Sequence, residues 1–206
     1  MDSVDRSRLD ARAQAVLAPG EELLWAGRPD PRQHFTKFDL LIESVALFFV
    51  GYVGYLLLRA LRGPDPQAFD VWANAVGFAV GLFIAVGRFG VKARRKRRIQ
   101  YVLTDRRAVI LRGRDGVESR RLSRSPVALD LFQDHLNVTF GPSPSLPFAV
   151  WENSGADLFI GSQSFAFYDV SDADALLAAL ERIAQDRVAQ ERVARGGAAG
   201  KSENPR

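Results

Sequence analysis

Two long apolar runs occupy the first half of the chain, and short alternating segments closed by one amphipathic run make up the second. The first run, LLIESVALFFVGYVGYLLL (Leu40 to Leu58), has 19 residues and a single charge, Glu43, near its start. A hydrocarbon core of about 30 Å takes about 20 helical residues. Twelve of the 19 are Leu, Ile, Phe or Val; at roughly 0.3–0.6 kcal/mol each on the insertion scale they outweigh one acid at the interface. The second run, Val71 to Val91, is weaker, with four glycines, Asn74, and Arg88 near its exit. Arg88 is expected to snorkel to the headgroups. Glu43 is expected near the interface, one helical face from Lys37. Between the runs lies RALRGPDPQAF, a breaker-rich hairpin turn in which Pro64 and Pro66 flank Asp65. Ala73, Gly77, Gly81 and Ala85 recur every four residues and predict close packing against the first span or a second copy. A signal peptide would stand at the start of the chain, not at residue 40.

Outside the runs the period changes. Residues 1–19 predict a short, loosely docked surface helix with a thin apolar stripe, ended by Pro19-Gly20, and EELLWAG predicts a short strand. After residue 98 come IQYVLT, AVILR, VESRRL, VALDLF, HLNVTF, FAVWE, DLFIG and SFAFYDV, separated by Gly, Pro, Ser and Asp. Strands at this spacing predict an antiparallel sandwich or barrel of about seven strands, with Asp115-Gly116 as a tight hairpin turn. SDADALLAALERIAQDRVAQERV then carries Ala173, Leu176, Leu177, Leu180, Ile183, Ala184 and Val188 on one face, the pattern of an amphipathic helix. Ser171 and Asp174 supply a capping-box spacing at its start. The expected fold is thus a transmembrane α-hairpin joined to an α+β domain. Its parts are an N-terminal segment 1–37, a hairpin 38–91 (spans about 40–58 and 71–91), a basic linker 92–98, a domain 99–194 and a disordered tail 195–206.

Charge sharpens this picture. The net charge of +4 conceals 14 basic against 3 acidic groups in residues 88–124, whereas 125–206 carry 6 against 11. Between Lys92 and Arg98 six of seven positions are basic, and the hairpin turn has only Arg59 and Arg62. The positive-inside rule therefore places the Arg98 side, and with two spans both termini, in the cytoplasm. Lys92, Arg94, Arg95, Lys96, Arg97, Arg98, Arg106 and Arg107 are the expected contacts to anionic headgroups, each contributing about 1 kcal/mol near a charged leaflet. A basic run beside a span needs no nucleic acid to explain it.

The words of the chain carry a resemblance. APGEELLWAGRPDP before two apolar runs, then YVLTDRRAVILRGRDG, resembles bacterial membrane proteins with a two-helix hairpin and a cytoplasmic pleckstrin-homology (PH)-like domain. The shared motif, Y-x-L-T-x-x-R, is here Tyr101, Leu103, Thr104 and Arg107, and SFAFYDVSDADALLAAL is similar to that family's last strand and closing helix. GPSPSLPF (Gly141 to Phe148) departs from its pattern. The resemblance implies a scaffold or recognition module at the inner membrane, with lipid, an unidentified protein or a second copy as partner, and no catalyst.

No catalytic, cofactor or metal site is legible. The chain has no cysteine, its histidines, His34 and His135, are far apart, and no phosphate loop, GxSxG or HExxH occurs. Asp105 reads as a turn residue bonding its own backbone, and Asn74 as a residue that bonds the first span or lies at the headgroups.

Overall fold

The computed structural model describes residue 9 and residues 11–64, 67–113, 116–145, 152–154 and 164–199. Strand β1 (Leu23–Gly27) precedes helix α1 (Asp39–Arg62) and helix α2 (Ala68–Lys96). Then follow β2 (Ile99–Thr104), β3 (Arg107–Arg112), β4 (Gly116–Arg121), β5 (Val127–Phe132), β6 (His135–Phe140), β7 (Ala166–Val170) and helix α3 (Ala173–Ala199). The strands form two antiparallel sheets, β1-β2-β3-β4 and β5-β6-β7. They do not close into a barrel, so of the expected sandwich or barrel the open arrangement is the one found. FAVWE, apart from Glu152, and DLFIG lie outside the described residues, as do 146–148 of the proline-rich stretch. The helix expected to end at residue 194 continues to Ala199.

One face of the four-stranded sheet and one face of the three-stranded sheet share a core. Trp25, Tyr101, Leu103, Ala108 and Ile110 pack with Leu136, Val138, Phe140 and Phe167, and α3 adds Leu176, Ala179 and Ile183. The Tyr101 ring stacks on Phe167 at 4.6 Å between centroids. The alternate residues of the same strands, Val102, Val109 and Leu111, meet Ala13 and Val16 on the outer face. Leu9 is 1% exposed and Ala13 is fully buried, and the Gln100 side-chain amide donates to the Leu9 carbonyl at 2.7 Å. The N-terminal segment is therefore no loosely docked helix. It covers the second face of a sheet whose central strands, IQYVLT and RAVILR, are apolar on both sides for that reason. Burying a side chain such as Leu9 contributes about 1.5–3 kcal/mol.

Helices α1 and α2 are long and apolar enough to cross a membrane, and only 17% and 11% of their apolar windows are buried. Leu40, Phe48, Phe69 and Trp72 are each more than 70% exposed. The small-residue stripe of α2 turns toward α1. A Cβ added at Gly81 would stand 2.8 Å from Val50 and 2.9 Å from the Phe49 ring, and one at Gly77 would stand 3.3 Å from Val53. Ala85 is 2% exposed, while Ala73, nearer the hairpin turn, is exposed. Asn74 donates to the Asp70 carbonyl of its own helix at 2.7 Å and does not reach across.

Gly81→Val is expected to destabilise the hairpin by about 1–3 kcal/mol, the usual cost of overpacking, while Gly51→Ala, where nothing lies within 4 Å, is neutral. Thermal unfolding of the full chain in detergent measures both; equal effects would contradict the packing described.

Candidate functional site

The site lies where α2 leaves the apolar hairpin. Residues four apart on a helix share a face, and α2 lines up Arg88, Lys92 and Lys96 in this way. All three are buried, at 0%, 3% and 3% exposure. A π-helical turn, Phe83–Gly87, immediately precedes the first of them. There the Arg88 amide reaches back to the Phe83 carbonyl, and the Ile84 carbonyl accepts the Arg88 Nε–H at 2.7 Å instead. A π turn at such a place re-aims the side chains that follow it.

Each cation meets a different partner, Arg88 in the first turns of α1 and the two lysines on the segment that joins β1 to α1. Arg88 pairs with Asp39 and with Glu43 at 3.2 Å, donates to the Ser154 carbonyl at 3.1 Å and lies 4.2 Å from the Phe89 ring centroid. It does not snorkel; its charge is taken up inside the hairpin base, and Glu43 is one of its counter-charges. Lys92 donates to the His34 carbonyl at 2.9 Å. Lys96 donates to the Asp30 carbonyl at 3.0 Å and to the Gln33 carbonyl, and pairs with Asp169 of β7 at 2.7 Å, both side chains 4% exposed. Lys92 and Lys96, expected at the lipid surface, thus point into the protein.

Asp169 joins the two ends of the chain. Its backbone has φ 55°, a left-handed conformation that Asp and Asn tolerate better than most residues. Its amide donates to Asn137 Oδ1 at 2.8 Å, its carbonyl accepts from the Asp30 amide at 2.8 Å, and its carboxylate accepts from Asn153 at 2.5 Å. Asp30 in turn accepts from the Arg32 amide at 2.8 Å and faces His135 Nε2 at 3.1 Å. Burial pushes the Asp30 carboxyl up, but that amide, His135 and the Lys96 charge together hold it below its ordinary value of 3.8. Lys37 pairs with Asp130 of β5, a further tie between the hairpin base and the sheets.

The motif residues serve the fold. Thr104 Oγ1 accepts from the Arg106 and Arg107 amides at 3.2 and 3.0 Å, closing the β2–β3 turn. Leu103 is fully buried. The Tyr101 hydroxyl accepts from the Tyr168 amide at 3.1 Å and donates to its carbonyl at 3.3 Å. Arg107 grips Glu21 with two N–H groups at 2.8 and 2.9 Å and donates to the Val16 carbonyl at 3.0 Å. Burial raises the Glu21 carboxyl, but the Arg107 bonds, the Ala18 amide and the Arg106 charge leave it below its ordinary 4.5. Asp105 does not bond its own turn backbone but accepts from the Glu22 amide at 3.0 Å.

Arg94, Arg97 and Arg98 are exposed and Arg95 is half-buried. The Arg106 side chain is 60% exposed beside Asp105. Of the eight expected surface cations, four therefore face outward, Arg94, Arg97, Arg98 and Arg106. The ladder of three was legible as a spacing of four from Arg88, hidden because the run reads first as a block of charge. Its acidic partners stand up to 73 positions away and carry no local signal. Among the described residues no group of three His, Asp or Glu stands close enough to hold a metal ion. No protein-family model matches the chain, and none of the curated proteins matches it.

Asp169→Asn keeps the backbone conformation and removes the counter-charge of Lys96. A loss of about 3–5 kcal/mol is expected from the stranded cation, much of it recovered when Lys96→Met is added; a double-mutant cycle by chemical denaturation measures the coupling. Acid provides a second test. Glu21 and Asp30 titrate lower in the folded chain than in the unfolded, so their contribution is complete above about pH 4.5 and is lost as pH falls through their lowered values. Denaturation midpoints between pH 6 and 3 should fall less steeply in Glu21→Gln than in the wild type.

Proposed function

We propose that the chain is an integral protein of a bacterial cytoplasmic membrane, its α1–α2 hairpin spanning the bilayer with both termini in the cytoplasm. Its sheets and α3 form a PH-like, non-catalytic module that recognises anionic lipid at the inner face. The observation that carries this reading is the division of the exit cations. Arg88, Lys92 and Lys96 fasten the domain to the end of α2, and only Arg97 and Arg98 separate that helix from β2. That fastening supports Arg94, Arg97 and Arg98, which face outward, as the residues that meet the headgroups. The exposed apolar surface of both helices supports the spanning role, and the surplus of cations after Val91 supports the orientation. The seven described strands, β1 before the hairpin and β2–β7 after it, in antiparallel sheets of four and three with α3 behind them, support the PH-like reading. A second reading, a structural subunit that joins a larger complex through its hairpin, draws on the outward apolar faces of α1 and α2, since Gly77 and Gly81 are occupied by α1.

Neutralising Arg94, Arg97 and Arg98 to Gln is expected to weaken the preference for anionic over zwitterionic phospholipid by about a hundredfold, at about 1 kcal/mol per charge. Phospholipid retained by the full chain in mild detergent measures it. Stoichiometric protein partners without lipid preference would favour the subunit reading instead. A reporter active only in the periplasm, fused after Arg206, should be silent in wild type and variant alike; activity in the wild type overturns the orientation.

A further inference from the structure

Of the three buried cations on α2, one makes no ion pair among the described residues: the Asp169 and Asp39 charges act on Lys92 only from a distance. Arg88 has Asp39 and Glu43, and Lys96 has Asp169. Lys92, at 3% exposure, makes one described hydrogen bond, to the His34 carbonyl, whereas an ammonium carries three N–H donors. Asp169, the acid on this side of the helix, is engaged by Lys96 and Asn153. Glu152 accepts from the Tyr168 hydroxyl at 3.0 Å and the Ser164 amide at 3.1 Å.

Lys92 lines a narrow cleft of about 40 Å³ together with Arg95, Lys96, Arg112, Asn153 and Tyr168, and the described lining includes four cations and no carboxylate. The Nε of Arg112 is buried there without a hydrogen-bond partner among the described residues, while its terminal nitrogen pairs with Glu118 at 2.9 Å. A buried ammonium short of hydrogen-bond acceptors is costly, and so is an unpaired buried donor. Here both border the same space. One water takes roughly 10–15 Å³ by this measure, so the cleft has room for roughly three waters, the scale of a phosphoryl group and too small for a whole nucleotide or headgroup. On the spanning reading proposed above, on which this step rests, Lys92 is the first residue past the apolar run that ends at Val91, and the cleft is then level with the lipid phosphates.

We propose that this cleft is a binding site for one phosphoryl group, with Lys92 as its counter-charge and Arg112 Nε and Asn153 as hydrogen-bond donors. The group is either free phosphate or the phosphate of an anionic lipid reaching in from the bilayer edge. The site is separate from the outward arginines and does not require them.

The test uses the full chain, delipidated in detergent, with inorganic phosphate as the first probe and chloride at equal ionic strength as the control. Phosphate is expected to raise the thermal midpoint of the wild type. Lys92→Met should need at least about tenfold more phosphate for the same rise, the loss of one charge-assisted bond. Because Lys92→Met also gives up the His34 bond, each protein is compared with and without phosphate, and only the phosphate-dependent rise is read. Arg97→Gln/Arg98→Gln should respond as the wild type does. If phosphate has no effect but nanodiscs of phosphatidylglycerol stabilise the wild type over phosphatidylcholine in a Lys92-dependent way, the source is the headgroup and the site stands. No response to either probe, or an equal response in Lys92→Met, overturns the site and leaves only water in the cleft. Failure of the surface-lipid reading is recognised separately, as an anionic preference that survives loss of Arg94, Arg97 and Arg98.

Discussion

The ion pair between Lys96 and Asp169 is the contact on which the arrangement of this protein depends. It joins the last turn of α2 to the last strand, 73 positions later, and both side chains are almost entirely removed from water. A buried pair of this kind adds little net stability compared with an apolar substitute, yet removing one partner alone is expensive. Its effect is therefore on geometry. With Lys96 also held by the Asp30 and Gln33 carbonyls, the apolar hairpin, the segment entering it and the sheets meet at one point and in one orientation.

Around that point the chain is built in interleaved pieces. The segment before the hairpin supplies an edge strand, β1, and the cover for the outer face of the four-stranded sheet. Glu21, just before β1, is bound by Arg107 at the start of β3. The hairpin is therefore an insertion between β1 and β2 of a sheet that continues on both sides of it. Tyr101, Thr104 and Arg107 tie these pieces together: Tyr101 bonds the backbone of β7, Thr104 closes a turn, and Arg107 binds Glu21.

The same geometry sorts the charge of the basic run by direction. A helix turns about 100° per residue, so Lys92 and Lys96 fall on the face toward the protein and Arg94 on another, while Arg97 and Arg98 stand in the turn that follows. A segment that counts as one block for topology is thus divided, part of it binding the hairpin to the domain and part of it available to a charged surface.

Local patterns determined much. Apolar length specified α1 and α2, since runs of 19 and 21 residues with one charge each can satisfy their backbone away from water only within themselves, as helices. Alternation and turn residues gave seven of the strands, and the 3.6-residue period gave α3, because these elements follow from contacts within a few positions. The stripe of Gly77 and Gly81 was legible for the same reason, although only the tertiary structure chose α1 as its neighbour. The open pairing of the sheets, the docking of Leu9 and Ala13, the inward turn of Lys92 and Lys96 and the role of Asp169 were decided by tertiary structure alone. Each joins residues far apart in the chain. Whether a lysine faces water or a buried carboxylate depends on which distant backbone arrives beside it, and a period along one helix carries no record of that.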